Sequence, residues 1–288
     1  MIVRAHGKLN LSLDVLGKTG DGYHDLCMVM QSVEFGDDLD VELTEDKSFS
    51  IDPGQSYLPA DGRNLAVKAA RLFLEGTEFG AHIEVTKRIP VCAGMGGGSS
   101  DAAAVLRALN VLTDRRLSRD ELCKLGLQVG SDVPFCVMEG TALAEGRGER
   151  LTALPPMPDC AIVICKPVFS ISTPELFGRV DSRKSRLRPD TAGIISALDV
   201  GDLSGIARRM YNVFEDVLDR RKGEIDTIKA VMTDHGAIGA VMTGTGSAVF
   251  GLFSDDSAAH AAHAALSAHY RECYLTRPSP AAEFEYSV

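Results

Sequence analysis

Residues 90–110 read PVCAGMGGGSSDAAAVLRALN, and no other stretch restricts the fold so sharply. Glycines at 94, 96, 97 and 98 free the backbone to turn successive N–H groups toward one point, and an alanine-rich helical run follows directly. The amino end of that helix adds partial positive charge, which suits an anion such as a phosphate. Two familiar phosphate loops do not fit. The only Gly-Lys-Thr, at residues 17–19, has Ser12 where a Walker loop needs its first glycine. A dinucleotide pattern opening at Gly94 and Gly96 meets Ser99 at its third position. What remains is a glycine-serine cradle. In it Ser99 or Ser100 serves as cap, phosphate donor or magnesium ligand, and Asp101 is expected in the first helical turn. The plain alternative is an idle surface loop. The cradle carries no lysine, so a cation for a polyphosphate has to come from elsewhere in the chain.

The 288 residues suffice for one large domain or two medium ones, and two are expected. Thirty Lys+Arg against forty Asp+Glu leave a net charge of −10 without any basic block, which argues against nucleic acid or an anionic membrane as partner. An odd set of seven cysteines without a C-x-x-C pair argues against a disulfide framework or a zinc knuckle and for a reducing cytoplasm. The amino terminus lacks the apolar run of a signal peptide. The uncharged window 236–254 is broken repeatedly by Gly and Thr, so it reads as strand, tight loop and strand and not as a membrane span.

Alternation over residues 9–15 predicts a strand with one buried face, followed by a glycine-rich turn at 17–25 and further strands through 27–46. Residues 64–77 predict a helix capped by Asn64, and residues 118–121 carry the Ser-x-x-Glu of a capping box. The glycine-loop helix is expected from about Asp101, with residues 131–135 interrupting afterwards. Strand is expected over 141–151, a proline-rich crossover at 154–159, an apolar strand at 160–167, helix over 194–217 and 222–233, and an alanine-rich helix from about Asp256.

The cradle resembles the P-x-G-x-G-x-G-G-S-S-x-A motif of the GHMP kinases, small-metabolite kinases named for galactose, homoserine, mevalonate and phosphomevalonate. HGKLNLSL near the amino terminus resembles the family's first motif, and AVMTGTGSAVFGLF its third. The segments KLNL at 8–11, DGYHD at 21–25, GSDVPF at 130–135 and ISTPELF at 171–177 resemble one branch of the family. That branch phosphorylates the 2-hydroxyl of a cytidine-diphosphate-linked methylerythritol in the non-mevalonate route to isoprenoids. The chain departs from that branch at Gly7, Val213 and Phe214.

The resemblance implies a two-domain α/β (α+β) fold, with a ribosomal-protein-S5-like domain over 1–155 and a ferredoxin-like domain over 156–288. It implies a cleft between them that takes ATP, Mg²⁺ and the cytidine-linked acceptor. Asp132 is then the general base and Lys8 the missing cation beside it; without that context Asp132 reads as a turn or helix cap and Lys8 as a solvated strand lysine. Gly94, Met95, Gly96, Gly97, Gly98, Ser99 and Ser100 would wrap the triphosphate, and Asn64 and Lys87 would line the adenine pocket. Asn10, Tyr23, His24, Thr173 and Phe177 would contact the acceptor, with Phe177 offering a stacking face, and Gly244, Thr245 and Gly246 would hold its diphosphate. Taken alone, Tyr23 and Phe177 are ordinary core or surface aromatics, Lys87 an exposed strand residue, and residues 244–246 a hairpin turn. His260 and His263 lie three apart but lack further ligands at metal spacing. The protein ligand of magnesium and the choice between monomer and homodimer stay open. So do two other readings, a different GHMP kinase such as a homoserine kinase and a catalytically silent ligand-binding member of the fold.

Overall fold

The computed structural model describes residues 1–182 and 187–283 and contains two sheets. The first is built on two long strands, β1 (Ile2–Lys18) and β2 (His24–Thr44), paired antiparallel around the glycine-rich turn. Beyond β2 lie β4 (Gly80–Thr86) and its parallel neighbour β3 (Phe49–Asp52), while β2 also pairs with β5 (Thr141–Gly146), which in turn pairs with β6 (Arg150–Ala153). Four helices belong to this half: α1 (Leu65–Phe73), α2 (Gly97–Leu112), α3 (Arg119–Val129) and α4 (Val133–Met138). The Asn64 side chain caps α1, and the Ser118–Glu121 capping box starts α3, both as the sequence predicts.

The second sheet has β7 (Ala161–Lys166), β9 (Gly239–Met242), β10 (Val249–Phe253) and β11 (Glu272–Thr276) in the order β11-β7-β10-β9. Numbered within the sheet this is 4-1-3-2, the order expected of a ferredoxin-like βαββαβ unit. Between β7 and β9 run α5 (Thr173–Ser182), α6 (Thr191–Asp199), α7 (Leu203–Ala207), the short strand β8 (Tyr211–Asn212), a 3₁₀ turn (Val213–Val217) and α8 (Lys222–Asp234); α9 (Asp256–Ser267) precedes β11. Strand β8 returns to the first sheet and pairs with β1.

Strict alternation on β7 explains the layering. Ile162 and Ile164 join Leu9, Leu11, Val29, Phe250 and Leu252 in a core shared by the two sheets. Ala161, Val163 and Cys165 point the other way, into the core beneath α8 and α9. The outer face of the first sheet is covered by α1 and α2, whose Ala66, Ala70, Ala103 and Leu106 are fully buried.

Three expectations are corrected. Residues 9–15 are buried on both faces, with Leu9 and Leu11 in the core shared with the second sheet and Leu13 and Val15 in the core beneath the helices. A bulge at Leu11 also reverses the strand: Asn10 pairs with Met30 and Ser12 with Val29, so Asn10 and Leu13 share one face although their positions differ in parity. Residues 141–151 form a hairpin, turned by Gly146 and Gly148 at φ 70° and 106°, and not one strand. Residues 194–217 break at Gly201 (φ 66°) and Asp202, which caps α7, so the predicted helix is two helices, a strand and a 3₁₀ turn.

Candidate active site

The cradle is more helical than its sequence suggests. Helix α2 begins at Gly97 with Gly96 as its cap at φ 71°, so Gly97, Gly98 and Ser99 form the first turn and Asp101 falls beyond it. The N–H groups of those three residues have no partner inside the helix, whereas Ser100 N–H already bonds Gly96 O at 2.9 Å. Ser100 is therefore a correction: its N–H is used, and its buried hydroxyl donates to Cys136 Sγ. Met95 likewise turns its side chain into the core and offers only backbone, its carbonyl accepting Lys8 N–H at 3.0 Å. The loop between β9 and β10 locks against the cradle. A Cβ on Gly94 would stand 2.1 Å from Thr243 O, and one on Gly244 would stand 2.8 Å from Gly94 O. Together they border a cleft of about 440 Å³ whose walls include Asn64, Lys87, Ser99, Thr173, Thr245 and Gly246. Thr173 and Thr245 join across it, hydroxyl to hydroxyl, at 2.8 Å.

Lys8 comes from β1 and runs under the cap; a Cβ on Gly96 would lie 3.0 Å from Lys8 Cγ. Its Nζ donates to Asn10 Oδ1 at 2.8 Å and stands 4.0 Å from Asp132 Oδ2. A buried ammonium is costly without partners, and these two supply them. Asp132 occupies the cap position of α4 but makes no capping bond, and its side chain keeps about 36% exposure. It is thus not spent as the helix cap that its sequence context suggests. Lys8 and Asp132, 124 positions apart in the chain, are brought together beside the cradle. Asn10 is corrected: with no exposed surface it holds Lys8, and its N–H donates to Thr243 Oγ1 at 3.1 Å. Thr243 escaped the sequence reading; its neighbours Gly244 and Gly246 were the signal.

Lys87 is neither exposed nor free. Its Nζ donates to Asp37 and Asp101 at 2.6 Å each, directly below Gly97, where a Cβ would lie 3.2 Å from it. Burial opposes the charge on Lys87, but the two carboxylates outweigh it and raise the affinity for the proton. Burial raises Asp101 against the opposing pull of Lys87, and with Asp37 adding to the rise the carboxyl stands at about 7. Asn64 lines the same cleft with both polar groups engaged, Oδ1 capping α1 and Nδ2 donating to Pro59 O at 3.0 Å.

A second cleft of about 480 Å³ is lined by Tyr23, His24, Ser131, Arg147, Phe177 and Asp181, among others. Ser131 adjoins Asp132, so the Lys8–Asp132 pair sits where the two clefts approach each other. His24 stacks on Phe177 with ring centroids 4.4 Å apart and bonds Asp181 Oδ1 at 2.8 Å. One face of Phe177 is thus covered by His24, and Phe214 packs edge-on at 5.0 Å. Arg147, which the sequence reading missed, lies over the Tyr23 ring at 3.7 Å and pairs with Asp21. Its signal was the pair of flanking glycines in EGRGE.

Among the described residues no group of three or more His, Cys, Asp or Glu side chains could hold a metal, and no helix is long and apolar enough to cross a membrane.

The chain matches the family descriptions "GHMP kinases N terminal domain" over residues 64–140 and "GHMP kinases C terminal" over residues 194–272. It belongs to the GHMP kinase family. Curated relatives named 4-diphosphocytidyl-2-C-methyl-D-erythritol kinase include one from Clostridium novyi (strain NT), 43% identical over 280 residues. Another, from Clostridium botulinum (strain Langeland), is 40% identical over 279 residues; each alignment covers 96% of this chain and 99% of the relative. A crystal structure of 4-(cytidine 5'-diphospho)-2C-methyl-D-erythritol kinase superposes with a TM-score of 0.82 at 34% identity, covering 97% of this chain and 99% of the other. A homoserine kinase from Cytophaga hutchinsonii shares the fold at 21% identity with a TM-score of 0.73.

Proposed function

We infer that the chain is an ATP-dependent kinase that phosphorylates the 2-hydroxyl of 4-diphosphocytidyl-2-C-methyl-D-erythritol. The observation that carries the reading is Lys8 Nζ at 4.0 Å from Asp132 Oδ2, between a glycine-lined cleft and an aromatic one. In this reading the first-turn N–H groups of α2 hold the triphosphate, and the aromatic cleft holds the cytidine. Asp132 accepts the proton of the acceptor hydroxyl, whose oxygen then attacks the γ-phosphorus as ADP leaves. Lys8 faces the negative charge that builds up in the transition state. Asn10 and Thr243 orient Lys8, and Thr173, Thr245 and Arg147 stand where they would meet the acceptor's diphosphate.

Magnesium, when bound with ATP, would neutralise phosphate charge while keeping most of its waters. The Ser99 side chain, in the wall of the glycine-lined cleft, would hold it; the Ser100 hydroxyl, turned to Cys136, does not fit. The division at residues 155 and 156, a cytoplasmic location and small-molecule partners alone belong to the same reading. Its test is product formation with ATP and each of three acceptors, the cytidine-linked methylerythritol, homoserine and mevalonate, followed by ³¹P NMR. A new phosphomonoester on the first acceptor alone is expected; turnover of homoserine alone would replace this reading with the homoserine kinase one.

A further inference from the structure

Away from both clefts, the second sheet brings two cysteines face to face. Cys165 on β7 pairs directly with Cys273 on β11, although 108 positions separate them in the chain. The adjacent rung, Lys166 opposite Glu272, is held by an ion pair of 2.7 Å, which pins the register at this place. Both side chains point into the core beneath α9, so they lie on the same face of the sheet. Residues directly opposite in an antiparallel pair have Cα atoms about 4.5 or 5.5 Å apart, and both values fall within the range that a disulfide spans. The neighbouring Cys165 thiol pulls Cys273 below the ordinary thiol range, and Cys273 together with burial pushes Cys165 up. Cys273 is also the accessible member, half-buried where Cys165 is fully buried.

We propose that Cys165 and Cys273 form a reversible dithiol/disulfide modification site that reacts with low-molecular-weight disulfides. The Cys273 thiolate attacks the oxidant RSSR, forming a protein–SR mixed disulfide and releasing RS⁻. The Cys165 sulfur then attacks Cys273 Sγ, gives up its proton and displaces the second RS⁻. Two protein thiols are oxidised, one RSSR is reduced to two RSH, and the protons lost by the protein are those gained by the leaving thiolates. The staple ties the last strand of the sheet to its first. It requires no framework of paired cysteines, which agrees with the odd cysteine count and the lack of C-x-x-C spacing.

The test uses the full chain treated with glutathione disulfide, quenched in acid, alkylated and mapped by peptide mass. The expected result is a peptide pair linking Cys165 to Cys273, with a loss of about 2 Da reversed by dithiothreitol. The thermal midpoint of the oxidised protein should rise by roughly 5 °C. The Cys273→Ser variant should show neither change. Exposed Cys92 reports oxidant access independently, through its own glutathione adduct. Overturning results are a Cys92 adduct with Cys165 and Cys273 both still alkylatable, a glutathione adduct that persists on Cys273, or a disulfide from either residue to another cysteine. The mapping needs only the wild-type protein, so a poorly folding variant does not remove the test.

Discussion

The two clefts are built by opposite means. The glycine-lined cleft is made of backbone: its phosphate-facing groups are the N–H ends of α2, and its shape comes from Gly94 and Gly244 pressed together where no side chain fits. The aromatic cleft is made of side chains from three distant segments, and its groups satisfy one another: His24 rests on Phe177 and Asp181, and Arg147 on Tyr23 and Asp21. Backbone dipoles stay in place whether or not a ligand is present, so the first cleft is preorganised. In the second, a base has to be admitted at the expense of contacts already made. A site of the first kind tolerates few substitutions and reads any phosphate; one of the second kind tolerates more and decides which acceptor enters.

Asp132→Asn tests the junction of the two clefts and should have the largest effect. It should lower kcat by about 10²–10⁴-fold while both substrates still bind, as measured by steady-state rates alongside calorimetric titration. If turnover is unchanged, Asp132 is not the base. Gly94→Ala challenges the backbone-built cleft. The strained φ of 77° and the Thr243 carbonyl 2.1 Å from the new Cβ should cost about 2–5 kcal/mol in urea unfolding and weaken ATP binding in the surviving fold. Phe177→Leu probes the side-chain-built cleft. Losing the aromatic face should cost about 1–2 kcal/mol of acceptor binding, seen as a KM about 10-fold higher for the cytidine substrate with the KM for ATP unchanged. Equal changes in both KM values would erase the contrast.

The smallest effect concerns the floor of the cradle. Asp101 is raised in the folded chain to about 7, above its ordinary value of 3.8, so its contribution to stability is present in acid and is lost as pH rises from about 4 to about 7. Asp101→Asn should flatten that part of the profile relative to wild type in chemical unfolding at a series of pH values. A difference that is constant with pH would mean that Asp101 stays ionised throughout.

Local rules predicted much of this architecture. The Asn64 cap and the Ser118–Glu121 box start helices in the structure because each satisfies orphan N–H groups within one turn, independent of what packs around them. The strand-loop-strand reading of residues 236–254 also holds, since alternation and glycine are local signals too. The misses share a cause. That Lys87 is held by Asp37 and Asp101 was not legible, because both carboxylates come from other parts of the chain. The covering of one Phe177 face depended on where His24 turned, and the burial of Asn10 on Lys8, Met28 and Thr243 closing around it.

By itself the sequence determined the starts of α1 and α3, the turn glycines, the family and the residue types gathered for chemistry, all of which rest on neighbours within a few positions or on motif order. Only the tertiary structure decided which side chains remain free to act. It left Asp132 uncapped and half-open, used up Ser100 and Asn10 in internal bonds, and set Cys165 opposite Cys273. The physical reason is that a polar group's availability depends on every partner within about 3 Å, and those partners come from all along the chain.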